Sequence, residues 1–181
     1  MPELISKSSL KNVLIDENEI KAIVERLAAA INRDYEGKKL IIICVLKGSF
    51  IFMGDLVRKI TQPATVEFVK ASSYKNSSVS SGDVKIEYMS YGVNALKGSH
   101  VLVIDDILDT GNTLSKLVEH YKHIGAESVE LCVLLDKPSR RTVPLEAKYT
   151  GKIIPDKFVV GYGLDYAEQY RCLPYVAAVE I

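Results

Sequence analysis

Asp105 and Asp106 are adjacent carboxylates that follow the apolar run VLVI at 101–104. After Ile107 and Leu108 come Asp109, Thr110, Gly111, Asn112 and Thr113, and then a helical pattern begins. Ligands of an open parallel sheet bind beyond the carboxyl ends of its strands. Small polar residues with a glycine, opening a helix, present free backbone N–H groups and the positive end of the helix dipole, which makes a phosphate seat. Thr110 and Thr113 add hydroxyl donors. Two carboxylates beside that seat would repel a phosphate unless something intervenes. Either they accept hydrogen bonds from sugar hydroxyls, or a magnesium ion bridges them to the ligand. A sugar phosphate satisfies both options. The stretch VLVIDDILDTGNTL at 101–114 therefore reads as a site for a metal-bound sugar phosphate. The plainer reading is a strand, a polar turn and a capped helix.

Other phosphate sites fit less well. A Walker loop needs lysine after its second glycine, and Gly111 is followed by Asn112. Receiver domains carry paired aspartates near the chain start, whereas this pair lies past mid-chain and leads into a threonine-glycine loop. Gly161-Tyr162-Gly163 lacks the third glycine of a dinucleotide fingerprint. His120 and His123 share a helix face, where a solvated or intersubunit surface is a plainer reading than a metal site; His100 precedes a strand and carries no case. Cys44, Cys132 and Cys172 are far apart among apolar or aromatic neighbours, which predicts buried, reduced thiols.

The elements that must position these groups follow from hydrophobic spacing. Asp16 reads as a helix N-cap, with Glu19 completing a capping box. Ile20, Ile23, Val24, Leu27 and Ile31 repeat at helical spacing, and Gly37 ends that element. Residues 40–45 form a buried strand, followed by Lys47-Gly48, a helix over 50–60, Pro63 and a strand over 65–69. SSYKNSSVSSG at 72–82 is either a solvated loop or a lid. Residues 84–89 alternate like a strand. Residues 101–104 form another buried strand, Leu114, Leu117, Val118, Tyr121 and Ile124 give a helix face, and Gly125 stops it. Further strands are expected at 129–135, 158–160 and 176–179. Strands alternating with helices predict an α/β fold with a mainly parallel sheet, and no internal repeat or linker divides 1–181 into more than a single domain.

The bulk composition agrees. A chain of 181 residues, 48% hydrophobic and 25% charged, fits one globular domain. Its 23 basic and 23 acidic residues cancel, which argues against a nucleic-acid partner and against a membrane-surface protein. The longest apolar run, 40–46, is strand-sized, and MPELISKSS lacks the apolar core of a signal peptide, so a cytoplasmic location is expected.

The 101–114 stretch resembles the phosphoribosyl-pyrophosphate signature of type I phosphoribosyltransferases. Leu46-Lys47-Gly48, Lys137 in LLDKPSRR and IPDKFVVGYGLDYAEQYR at 154–171 narrow the resemblance to the hypoxanthine-guanine phosphoribosyltransferases, in the short bacterial form. It runs from about the Asp16 helix to the C-terminus. It implies a twisted, mainly parallel sheet flanked by helices, with a small hood formed by N- and C-terminal segments and a mobile loop. It also implies a purine-salvage enzyme. That enzyme moves ribose 5-phosphate from phosphoribosyl pyrophosphate to a 6-oxopurine with Mg2+, giving IMP or GMP and pyrophosphate.

In that resemblance Asp105 and Asp106 hold the ribose hydroxyls, directly or through the metal; the family commonly has glutamate at the first position. Asp109 is the general base for the purine proton. Thr110, Gly111, Asn112 and Thr113 seat the 5-phosphate. The Lys47–Gly48 peptide is cis and meets the pyrophosphate, which Arg171 also grips. Lys137 donates to the purine 6-oxo group, Phe158 stacks on the base and the Val159 backbone reads its edge. Asp165 contributes to the purine site and a second magnesium, while Leu164 and Tyr166 pack. Ser73 and Tyr74 belong to the lid. Family members are homodimers or homotetramers. The rivals are a phosphoribosyltransferase for another base, such as xanthine, and a non-catalytic nucleotide-sensing regulator of the same fold.

Overall fold

The computed structural model describes residues 12–73, 84–88 and 96–179. Its centre is a six-stranded sheet built from β2 (Leu40–Leu46), β3 (Ala64–Ser73), β4 (Val84–Tyr88), β5 (His100–Leu108), β6 (Ser128–Asp136) and β7 (Tyr149–Ile153). The strand order is β4-β3-β2-β5-β6-β7. All neighbours are parallel except β3 and β4. Side chains alternate across a strand. Leu40, Ile42 and Cys44 accordingly join one core cluster, while Ile41, Ile43 and Val45 join the other. A strand buried on both faces must be apolar throughout, which is why LIIICVL shows no alternation.

Helices cover both faces. The first core cluster takes α1 (Glu17–Asp34) and α2 (Phe50–Val57); the second takes α3 (Asn112–His123). The Asp16 side chain caps α1 by accepting from the Glu19 N–H at 2.8 Å. Only half of the expected capping box forms, because the Glu19 carboxylate accepts from Lys152 Nζ at 2.6 Å and ties the helix to β7. No helix among the described residues is long and apolar enough to cross a membrane.

A second sheet, β1-β9-β8, joins β1 (Asn12–Ile15), β9 (Val176–Val179) and β8 (Phe158–Val160) in antiparallel pairs. This is the hood of N- and C-terminal segments. The mobile-loop part of the expectation, and Tyr74 with it, lies outside the described residues; Ser73 ends β3.

Several boundaries differ from the sequence expectation. β5 continues past Ile104 to Leu108, so Asp105 and Asp106 lie within the strand, held by pairing with β6. α2 stops at Val57, with a turn carrying the chain to Ile60. β1 and β7 were not anticipated: one is four residues long, and the other, YTGKI, is too polar to stand out. Cys44 and Cys132 are buried as expected, but Cys172 is exposed because it lies in the turn-rich segment between β8 and β9.

Candidate active site

The strand registers bring the chemistry to one edge. Cys44 pairs with Ile104, and Leu108 pairs with Asp136. The residues just beyond β2, β5 and β6 therefore lie at the same carboxyl-end rim of the sheet. There a cleft of about 250 Å³ is lined by Gly48, Asp105, Asp106, Asp109, Thr110, Gly111 and Thr113, among others.

Within the cleft, the Asp106 N–H donates to Asp105 Oδ1 at 2.9 Å. Burial pushes the Asp105 carboxyl well above its ordinary range, and the Asp106 charge adds to this. Burial also raises Asp106, partly offset by hydrogen bonds and by the charge of Arg171. The pair thus resists carrying two negative charges unaided. A magnesium ion fits this donor set. It takes hard oxygen ligands and is held by one or two carboxylates plus substrate phosphates rather than by an all-protein cage. Among the described residues, no third metal-binding side chain joins the two.

Asp109 leads from β5 into the loop before α3. The N–H groups at the start of α3 lack intrahelical acceptors, with Gly111 as N-cap, and the Asn112 N–H donates to Thr110 Oγ1 at 3.4 Å. Thr110, Gly111 and Thr113 line the cleft, whereas Asn112 is exposed and its Oδ1 accepts from the Thr142 hydroxyl at 3.2 Å. The loop is braced from the next chain segment. Thr142 N–H donates to Thr110 O at 3.0 Å. Arg141 donates to Leu108 O at 3.1 Å and to Asp109 O, and pairs with Asp136. Asp109 itself pairs with Arg140 at 3.2 Å.

The loop after β2 meets this arrangement closely. A Cβ on Gly48 would sit 1.6 Å from Asp106 Oδ2, and one on Gly163 would sit 2.0 Å from Gly48 O. Both positions exclude any side chain while the neighbours stay where they are. The cis peptide lies between Leu46 and Lys47, one bond earlier than the resemblance implies. Lys47 Nζ pairs with Glu168 at 3.0 Å, and Arg171 pairs with Asp165 at 2.8 Å and Glu168 at 3.3 Å while donating to Gly163 O at 2.7 Å. Lys47 and Arg171 border a neighbouring cleft that shares Leu46 with the first. These two cations hold the Glu168 carboxyl below its usual range.

Lys137 follows β6. Its N–H donates to Leu108 O at 3.0 Å, which sets it beside Asp109, and it is buried rather than solvated. Phe158 is half exposed and meets Tyr166 edge-on at 5.8 Å; Val159 is buried and pairs with Ala178. Lys137, Phe158, Val159 and Asp165 do not line the carboxylate cleft. Both Asp165 oxygens are engaged, one by Arg171 and the other by the Glu168 N–H at 2.8 Å. Sequence reasoning assigned nothing to Arg140, Arg141, Thr142, Asp156 or Glu168. The only signal was two consecutive arginines just past Lys137.

The family model for the phosphoribosyl transferase domain matches residues 12–167. A curated hypoxanthine-guanine phosphoribosyltransferase from Staphylococcus aureus is 44% identical over 173 residues, covering 96% of both chains. A crystal structure of a hypoxanthine-guanine phosphoribosyltransferase from Bacillus anthracis superposes with a TM-score of 0.86 at 42% identity, covering 96% of this chain and 99% of the other. A ternary substrates complex of a point mutant of the hypoxanthine phosphoribosyltransferase from Trypanosoma cruzi gives a TM-score of 0.88 at 36% identity, covering 96% of this chain and 97% of the other. The chain belongs to the phosphoribosyl transferase domain family and, within it, to the hypoxanthine-guanine phosphoribosyltransferases.

Proposed function

We propose that this chain transfers the 5-phosphoribosyl group from phosphoribosyl pyrophosphate to hypoxanthine and guanine, releasing pyrophosphate and yielding IMP or GMP. The observation that carries this reading is the single cleft in which Asp105, Asp106, Asp109 and the Thr110–Thr113 loop converge, with Lys137 hydrogen-bonded beside it. Bound Mg2+ would neutralise the leaving pyrophosphate, held through Asp105 and Asp106 together with the ligand's own oxygens.

The protein's residues divide the remaining work. The displacement passes through an oxocarbenium-like state, so positioning and charge placement dominate. Asp105 and Asp106 fix the ribose hydroxyls. Thr110, Gly111 and Thr113 anchor the 5-phosphate at the amino end of α3; Asn112 contributes through its backbone N–H. Asp109 takes the proton from the purine ring nitrogen. Lys47, Gly48 and Arg171 receive the pyrophosphate, for which Arg171 must loosen its hold on Asp165 and Glu168. Lys137 donates to the 6-oxo group, and an adenine amino group there would leave a buried donor unpaired. Phe158 stacks on the base and Val159 reads it. Asp165 would help hold a second magnesium through lone pairs left beside its contacts with Arg171 and the Glu168 N–H. Ser73 and Tyr74 close over the site. The enzyme works in the cytoplasm as a homodimer or homotetramer.

The test is direct. Purified protein, Mg2+ and phosphoribosyl pyrophosphate are mixed with hypoxanthine, guanine, xanthine and adenine in turn, and nucleotide is measured. Product from hypoxanthine or guanine is expected. Product from neither overturns the reading.

A further inference from the structure

Lys137 opens a 3-10 turn, Pro138–Arg140, that folds the chain back on itself. Arg140 N–H donates to Lys137 O at 3.0 Å. The turn aims the Arg140 side chain toward β5, where its Nε lies 3.2 Å from Asp109 Oδ1. Its Nη1 lies 3.6 Å from Asp156 Oδ2, and the other Asp156 oxygen lies 4.0 Å from Lys137 Nζ. The four side chains thus form a row of alternating charge: Asp109, Arg140, Asp156, Lys137. Its two ends are the groups assigned to the purine, one an acceptor and one a donor. Its two middle members have no place in that assignment.

From this row we infer that Arg140 is a positioning residue for Asp109, with Asp156 as the anion that in turn orients Arg140. The inference rests on the reading of Asp109 as the base. Arg140 engages Oδ1 alone, and the described residues give Oδ2 no hydrogen-bond partner. One oxygen is therefore held while the other is left for the purine N–H. A carboxylate gripped on one side has fewer rotamers to lose when the base arrives. The planar guanidinium suits the task, since separate nitrogens reach Asp109 and Asp156. The row is also neutral overall, so it fixes Asp109 without adding a net charge beside the substrate's phosphates.

The pair is exposed on both sides, 47% for Arg140 and 40% for Asp109, so the effect is modest. An exposed ion pair corresponds to about a two- to five-fold change. The experiment is a rapid-quench single-turnover assay with hypoxanthine, paired with calorimetric binding of phosphoribosyl pyrophosphate in Mg2+. It uses Arg140→Ala, Arg140→Lys, Asp109→Asn and the Asp109→Asn/Arg140→Ala double variant. Arg140→Ala slows the single turnover about two- to five-fold, with phosphoribosyl pyrophosphate affinity unchanged. Arg140→Lys recovers part of the loss. In the Asp109→Asn background, Arg140→Ala has no further effect, because no base remains to be positioned. An equal loss in both backgrounds, or no loss in the wild-type background, overturns this proposal alone. Full turnover in Asp109→Asn overturns the base assignment and this proposal with it.

Discussion

Gly48→Ala separates the positioning of Asp106 from the stability of the fold. The new Cβ would stand 1.6 Å from Asp106 Oδ2 and 2.6 Å from its carboxyl carbon, where ordinary contact begins at 3.4 Å. The carboxylate must therefore withdraw by roughly 2 Å, and misplacing a positioned group by about 1 Å already costs about 10²-fold in rate. Asp106 can retreat by rotating its short side chain, at a cost of order 0.5–1.5 kcal/mol. The backbone of β5 around Asp106 is held by the pairing of Asp105 and Ile107 with β6 and need not move. Activity and stability should thus part company. The kcat/KM for phosphoribosyl pyrophosphate should fall about 10²-fold or more, about 2.7 kcal/mol of transition-state stabilisation, while the melting temperature drops by only a few degrees. The assay is initial-rate kinetics in excess Mg2+ alongside a thermal melt of the same preparation. A folded Gly48→Ala enzyme within three-fold of wild type would refute the argument.

Gly163→Ala should behave differently. Its Cβ would meet the Gly48 carbonyl, a backbone atom, at 2.0 Å, and its φ of +103° is strained for any other residue. Here both activity and stability fall, the latter by about 1–3 kcal/mol, as a chemical melt would reveal. Lys137→Met removes the charged donor proposed for the 6-oxo group and should lower kcat/KM for hypoxanthine about 10- to 100-fold, with phosphoribosyl pyrophosphate binding unchanged; equal losses for both substrates would contradict the assignment. Asp105 gives a pH prediction. Its folded pKa lies above the ordinary 3.8, so the folded chain holds a proton that the unfolded chain has released. Stability present below that ordinary value is lost as pH rises through the raised one. Metal-free protein melted with a chelator should therefore gain stability on mild acidification. Asp105→Asn should raise neutral-pH stability by about 0.5–2 kcal/mol and flatten that slope, and identical melts for the two proteins would sink the idea.

What the sequence disclosed was chemistry carried by neighbours in the chain. Asp105, Asp106, Asp109 and the threonine loop are contiguous, so their convergence on one cleft could be expected from the chain alone. The strands β2 and β5 were readable because burial on both faces leaves an unbroken apolar run. Contacts that depend on register were not. Asp109 and Arg140 are 31 residues apart, and only the pairing of Leu108 with Asp136 makes them partners. The close approach of Gly48 to Asp106 and of Gly163 to Gly48 joins segments far apart in the chain, so no local pattern announces it. β1 carries too few residues to announce itself, and its partner lies at the far side of the chain. The burial of Lys137 was not legible either, because the turn that encloses it is made by residues that follow it.

That distant pairing has a bearing on how the protein is made. Asn12 waits for Ala178, so about 160 residues must leave the ribosome before β1 finds its place, a delay of roughly 10–30 s at ordinary elongation rates. The central strands β2, β3 and β5 can join much earlier. A nascent chain would hold the carboxylates and the phosphate loop well before it holds the strand that carries Phe158 and Val159. On the proposed assignment, the sugar-phosphate half of the site would then be assembled during translation before the purine half, and a ligand that binds it would stabilise the chain on which the last strands close.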